Sequence, residues 1–146
     1  MPRIGILTCS SATQDLGCSS VSCLKSMRER IGGFERYKED DELDLVGIIN
    51  CSGCPTVAGY EKILERVRGL VEFGVDAIHL TYCIDTLCPF KAKYVSILQE
   101  HFPEIEIVIG THFSKLTQDQ YREKVKNMLC QPRESMVDLI KAGLKK

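Results

Sequence analysis

Leu45-Val46-Gly47-Ile48-Ile49, followed after one residue by Cys51-Ser52-Gly53-Cys54-Pro55, is the stretch that decides the fold. Its strand-forming residues run on without alternation, the pattern of a parallel strand covered by helices on both faces. Beyond Pro55, Tyr60, Ile63, Leu64, Val67, Leu70 and Val71 recur at helical spacing, and Gly74 is placed to stop the helix. A buried strand, a tight turn and an amphipathic helix make one βα unit. Three similar runs lie outside it: Ile4-Gly5-Ile6-Leu7, Ala77-Ile78-His79-Leu80, and Ile105 to Ile109.

Helical patterns fill the intervals. Val21, Leu24, Met27, Arg28 and Ile31 mark a short helix ending at Gly32-Gly33, and Tyr94, Val95, Leu98 and Phe102 mark another stopped by Pro103. Thr117-Gln118-Asp119-Gln120 has capping-box spacing and opens a helix through Tyr121, Val125 and Met128. A last helix is expected from about Glu134 to Leu144. Strand ends fall about 30–40 residues apart, the length of a βαβ unit. Right-handed crossovers then place helices on both faces of the sheet. The expectation is an α/β three-layer domain resembling flavodoxin, with a four-stranded parallel sheet in the order 2-1-3-4.

The 146 residues suit a single domain, 1–146, since one core usually serves about 100–200 residues. Nineteen basic residues against twenty acidic ones give a net charge of −1, which argues against a general nucleic-acid binder. No apolar run approaches the roughly 20 residues needed to span a bilayer. The apolar run Ile4 to Leu7 is too short for the core of a signal peptide. The reading is a cytoplasmic protein, with no feature naming a protein partner. Its unusual number is eight cysteines. In a reducing compartment that count points to metal ligands or redox chemistry rather than disulfides.

Seven of the eight fall at one end of the expected sheet. Cys9 directly follows the first strand, Cys51 and Cys54 the second, and Cys83 and Cys88 the third, while His112 follows the fourth. Cys18 and Cys23 lie in the loop and helix start after the first strand. In open α/β sheets, the carboxyl edge of the strands is where ligands bind. Two separated cysteine pairs resemble a four-sulfur zinc site. Pro55 suits a first helical position, so Cys51 and Cys54 are expected at a helix start with at least one of them a thiolate at neutral pH. Cys130 reads as a bland thiol, His79 as a core histidine and His101 as an exposed spacer.

Other chemistries fail on inspection. Neither Gly-x-Gly-x-x-Gly nor Gly-x4-Gly-Lys-Ser/Thr occurs. A Cys-x5-Arg phosphatase loop from Cys9 would need arginine where Asp15 stands. Ser10-Ser11-Ala12-Thr13 offers hydroxyls and amides for a phosphate but no supporting basic residue.

Together these residues resemble the CGGC-domain family, whose central Cys-Gly-Gly-Cys appears here as Cys51-Ser52-Gly53-Cys54. The similarity runs from about Arg3 to Phe113. It takes in Ile4-Gly5-Ile6, Cys9-Ser10, Cys18, Cys23, Val46-Gly47, Gly74 to Leu80, Cys83, Cys88-Pro89 and Gly110-Thr111-His112. Residues 114–146 form a C-terminal helical extension beyond it. Two departures stand out. Ser52 replaces the first motif glycine, which is tolerable if its backbone needs no positive φ. Phe90-Lys91 follow Cys88-Pro89 where the family often carries histidine, so His112 or another cysteine would have to complete a site.

The resemblance implies a metal-binding domain, with zinc as the metal. The expected ligands are drawn from Cys9, Cys51, Cys54, Cys83, Cys88, Cys18, Cys23 and His112. The alternative is a dithiol oxidoreductase or an iron–sulfur protein using the same cysteines, because tetrahedral sulfur suits zinc and iron alike.

Overall fold

A computed structural model of the chain describes residues 1–54, 59–129 and 136–144. Four strands, β1 (Arg3–Thr8), β2 (Asp44–Asn50), β3 (Ala77–Leu80) and β4 (Glu106–Ile109), form one parallel sheet in the order β2-β1-β3-β4. The helices around it are α1 (Val21–Glu29), α2 (Gly59–Glu72), α3 (Tyr82–Leu87), α4 (Lys91–His101), α5 (Gln118–Leu129) and α6 (Met136–Leu144). This is the flavodoxin-like three-layer arrangement expected from the sequence. Pro55, the expected helix opener, and Cys130 lie outside the described residues. Among the described residues, no helix is long and apolar enough to cross a membrane.

The continuous apolar runs are explained by two cores, one on each face. Leu7, Ile78 and Leu80 point to the face covered by Ile63, Val67 and Leu70 of α2, Ile84 of α3 and Leu98 of α4. Ile4, Ile6 and Ala77 point the other way, against Phe34, Tyr37, and Leu24 and Met27 of α1. Each fully buried Ile or Leu contributes about 1.5–3 kcal/mol relative to exposure. β1 and β3 are thus covered on both sides.

Helix ends follow the local chemistry. At the start of α5, the Thr117 hydroxyl accepts from the Gln120 amide at 3.1 Å, and the Gln120 side chain accepts from the Thr117 amide at 3.0 Å, closing the capping box. Three short elements were not expected, α3 among them. A π-helical turn spans Ser11–Asp15, and Gly32–Tyr37 forms a 3-10 helix where a simple helix stop was expected. That 3-10 helix brings Phe34 and Tyr37 onto His79, which is fully buried. His79 Nδ1 lies 2.9 Å from the Gly110 carbonyl, which can only accept, so Nε2 is left to accept from the Tyr37 hydroxyl at 2.9 Å. This is the arrangement of a neutral core histidine. Burial lowers its pKa below the ordinary value, outweighing the favourable Gly110 carbonyl.

Two predictions follow from these contacts. The Gly33 amide donates to Thr111 O at 2.8 Å, and a Cβ on Gly33 would stand 2.2 Å from the Gly110 carbonyl oxygen. Backbone cannot yield as a side chain can, so Gly33→Ala should cost about 3 kcal/mol, the upper end of overpacking, read as a fall in the denaturant midpoint. The lowered His79 pKa makes the unfolded chain bind more protons than the folded one in mild acid. Its contribution is complete above about pH 6.5 and is lost as pH falls through the depressed folded value. Denaturant midpoints should drop over that range, and His79→Gln should remove this part of the drop.

Candidate functional site

The parallel sheet delivers its cysteines to one edge, and hydrogen bonds fix the first of them. The Cys51 amide continues the ladder onto Thr8 O at 2.8 Å. Ser10 donates its amide to Cys51 Sγ at 3.2 Å and its hydroxyl to the Cys51 carbonyl. Arg66, reaching up from α2, donates to the carbonyls of Asn50 and Cys51 at 2.9 and 2.7 Å. The Asn50 side chain accepts from the hydroxyls of Thr8 and Thr13, tying the Cys51 turn to the Ser11–Asp15 turn. Gly53 has φ 98°, whereas Ser52 is not among the positive-φ residues. The motif glycine that is kept is the one whose backbone requires it.

Cys9 is the middle of a chain of three sulfurs. Its thiol shares hydrogen bonds with Cys51 on one side and Cys83 on the other. The pKa values order the protons along this chain. Cys51 is pushed up to about 12, first by its bond to Cys9 and then by burial. For Cys9 the Cys51 bond lowers the pKa, but the Cys83 bond and burial together leave it raised. Cys83 ends the chain and comes down to about 7 despite its burial, because Cys9 donates to it and the Thr81 hydroxyl, 2.8 Å away, does so too. Burial raises Cys54, Cys88 and Cys23.

This reverses the expectation that the thiolate sits at Cys51 or Cys54. The Cys51 thiol is spent as a donor to Cys9, and Cys54 accepts no hydrogen bond among those of the described residues. Cys83 instead lies in the first turn of α3, where the N-cap Thr81 turns its hydroxyl to the sulfur rather than to a backbone amide. Thr81 was missed in the sequence, although a threonine two residues before a cysteine at a strand-to-helix turn is a readable sign. Arg66 and Asn50 carried none.

The eight expected ligands share the edge but divide between two cavities. Cys9, Cys51, Cys54 and Cys88 face a cavity of about 640 Å³. Cys18, Cys23, Cys83 and His112 face a second, of about 300 Å³. The Cys9–Cys83 contact lies between them. Cys23 is buried with its sulfur 3.2 Å from the Thr111 hydroxyl, while Cys18 and Cys54 are exposed. His112 packs against the Tyr82 ring at 5.1 Å, on the Cys18–Cys23 side, away from the Cys51-Ser52-Gly53-Cys54 turn. All seven described cysteines are free thiols. Among the described residues, no group of three or more His, Cys, Asp or Glu side chains is disposed to hold a metal ion as it stands. α5, beyond the region of family resemblance, lines both cavities through Val125.

A pH titration of the reduced, metal-free chain should show thiolate absorbance growing in around pH 7. Cys83→Ser should abolish that step. Cys9→Ala, which removes the main donor, should move it to higher pH, and Cys54→Ser should leave it in place.

The sequence model of the CGGC domain matches residues 3–112. A Methanocaldococcus jannaschii protein, known only as uncharacterized protein MJ0582, is 33% identical over 119 residues, covering 75% of this chain and 86% of its own length. No solved structure matches the chain significantly. Matched over its first three strands, the fourth, and every described cysteine, the chain belongs to the CGGC-domain family.

Proposed function

We propose that the protein binds a soft metal ion, zinc, through thiolates at the carboxyl edge of the sheet. The observation that carries this reading is the run of hydrogen-bonded sulfurs Cys51–Cys9–Cys83, delivered by three adjacent parallel strands. Three thiols from β1, β2 and β3 make a donor set of the right chemistry, since thiolate is the form that binds zinc. One already loses its proton near pH 7. A metal would displace the remaining protons, so binding grows tighter as pH rises. Cys54 or Cys88, both on the cavity beside Cys9, would supply a fourth sulfur. Exposed Cys54 is the freer of the two to move in. The bound ion would act as a Lewis acid or as a structural clamp, and an iron–sulfur cluster would call on the same donors.

A second reading, dithiol redox chemistry, is favoured by one observation. Cys9 and Cys83 are hydrogen-bonded as thiol and near-neutral thiolate, the pairing that a redox dithiol needs. The domain family agrees with either.

Metal analysis of anaerobically purified protein should find about one zinc per chain and a colourless solution, whereas brown protein would assign a cluster. Cys9→Ala and Cys51→Ala should abolish retention, and Cys18→Ala should not. Chelation should leave the circular dichroism native, because both hydrophobic cores are built mainly from aliphatic and aromatic side chains rather than from the cysteines. It should lower thermal stability by mass action, about 2.7 kcal/mol for a ligand at a hundred times its Kd. No bound metal, together with a Cys9–Cys83 disulfide under mild oxidation, would transfer the assignment to the second reading.

A further inference from the structure

The larger cavity is too big and too apolar to be explained by metal ligation. Zinc–sulfur bonds are about 2.3 Å long, so a four-sulfur site fills a small part of 640 Å³. That volume lies within the roughly 300–1,000 Å³ of small-molecule pockets. Its floor is aliphatic: Leu7, Ile63, Leu80 and Ile84 are nearly fully buried. At the mouth, Phe90 and Tyr94 present paired rings with centroids 6.1 Å apart. Such faces stack on a flat apolar group.

The charge on the wall is of one sign. Among the described residues no aspartate or glutamate lines the cavity, whereas Arg122 and Lys126 of α5 both do. Arg122 is held in place by Nε donating to the Thr86 carbonyl at 2.7 Å and Nη1 to Asp119 at 3.0 Å. Lys126 has no ion-pair partner among the described residues. Both cations lie beyond the part of the chain matched by the family model, residues 3–112. The thiol edge is thus bordered by a segment outside the matched domain.

We propose that this cavity binds a small organic anion with an apolar, ring-sized body, the body lying between Phe90, Tyr94 and the aliphatic floor, and the anionic group meeting Lys126 and Arg122 at the rim. Cys9, Cys51 and Cys54 line the same cavity, so the bound molecule lies beside the sulfurs. The proposal concerns the space next to the thiols and does not depend on whether they carry a metal.

Anilinonaphthalene sulfonate, an apolar aryl anion, is the probe, titrated by fluorescence into the reduced, chelator-treated full chain. One saturable site is expected. Lys126→Glu should weaken binding by about fivefold, the scale of one exposed charge interaction. Val125→Trp, filling the space, should weaken it by more, with circular dichroism checking the fold. An unfolded Val125→Trp protein leaves the decision to the unmodified chain, through alkylation followed by mass spectrometry. There the probe should slow labelling of Cys54, which lines this cavity, and not of Cys18, which is also exposed but lines the other. α6 exposes Leu139 and Ile140, so Ile140→Ser serves as the control and should leave the affinity unchanged. The proposal is overturned by equal protection of Cys18 and Cys54, by loss of binding in Ile140→Ser, by unchanged affinity in Lys126→Glu, or by the absence of saturable binding.

Discussion

Parallel pairing of β1 with both β2 and β3 is the constraint on which the rest of the molecule depends. Ile4 sits opposite Leu45 on one side and Ala77 on the other, and the ladders run on to Leu7, opposite Ile49 and Leu80. Because all the strands run the same way, each ends at the same edge. Each loop that leaves this edge then carries its cysteines into one neighbourhood. Alternation along β1 does the remaining work. Ile4 and Ile6 build one core while Leu7 builds the other. A strand so committed on both faces and both edges cannot shift register without losing both cores, and Cys9 inherits that fixity.

The chemistry at this edge is set by competition between burial and hydrogen bonding. Burial works to raise Cys9, Cys23, Cys51, Cys54, Cys83 and Cys88, as it must for a group whose charged form prefers water. At Cys83 alone do the bonds it accepts, from Cys9 first and then Thr81, outweigh burial; Cys51 also accepts from Ser10 but is raised because it donates to Cys9. The same competition, resolved the other way, keeps His79 neutral on the opposite face. Position in the hydrogen-bond chain, more than proximity to the Cys-x-x-Cys turn, decides which sulfur carries charge.

The sheet was legible because its strands are buried on both sides, which leaves a continuous apolar trace, and because helices between them keep a clean period. The clustering of cysteines was legible for the same reason, since strand ends can be read. Their division between two cavities was not. It depends on α5 packing across the edge, and nothing in Gln118 to Leu129 announces where that helix docks. The thiolate was misplaced because α3 is only six residues long. Thr81-Tyr82-Cys83 shows too little periodicity to reveal a helix, so the two donors converging on Cys83 were invisible. The 3-10 helix at Gly32–Tyr37 was hidden in a similar way, because its glycines read as a stop while their role is to let two backbones touch.

The hydrogen bonds around Cys51 have a consequence in entropy. Its amide and carbonyl are bonded, its sulfur accepts from Ser10, and Arg66 clamps the carbonyl. The freedom of this residue is surrendered when the chain folds, at a cost of about 1–2 kcal/mol for its backbone. Nothing more is lost when something binds there. Cys54, three residues on and exposed, retains its freedom until it is captured. In the proposed metal site the two cysteines of one motif would divide the work: Cys51 as the half already ordered by folding, Cys54 as the arm that closes on the ion.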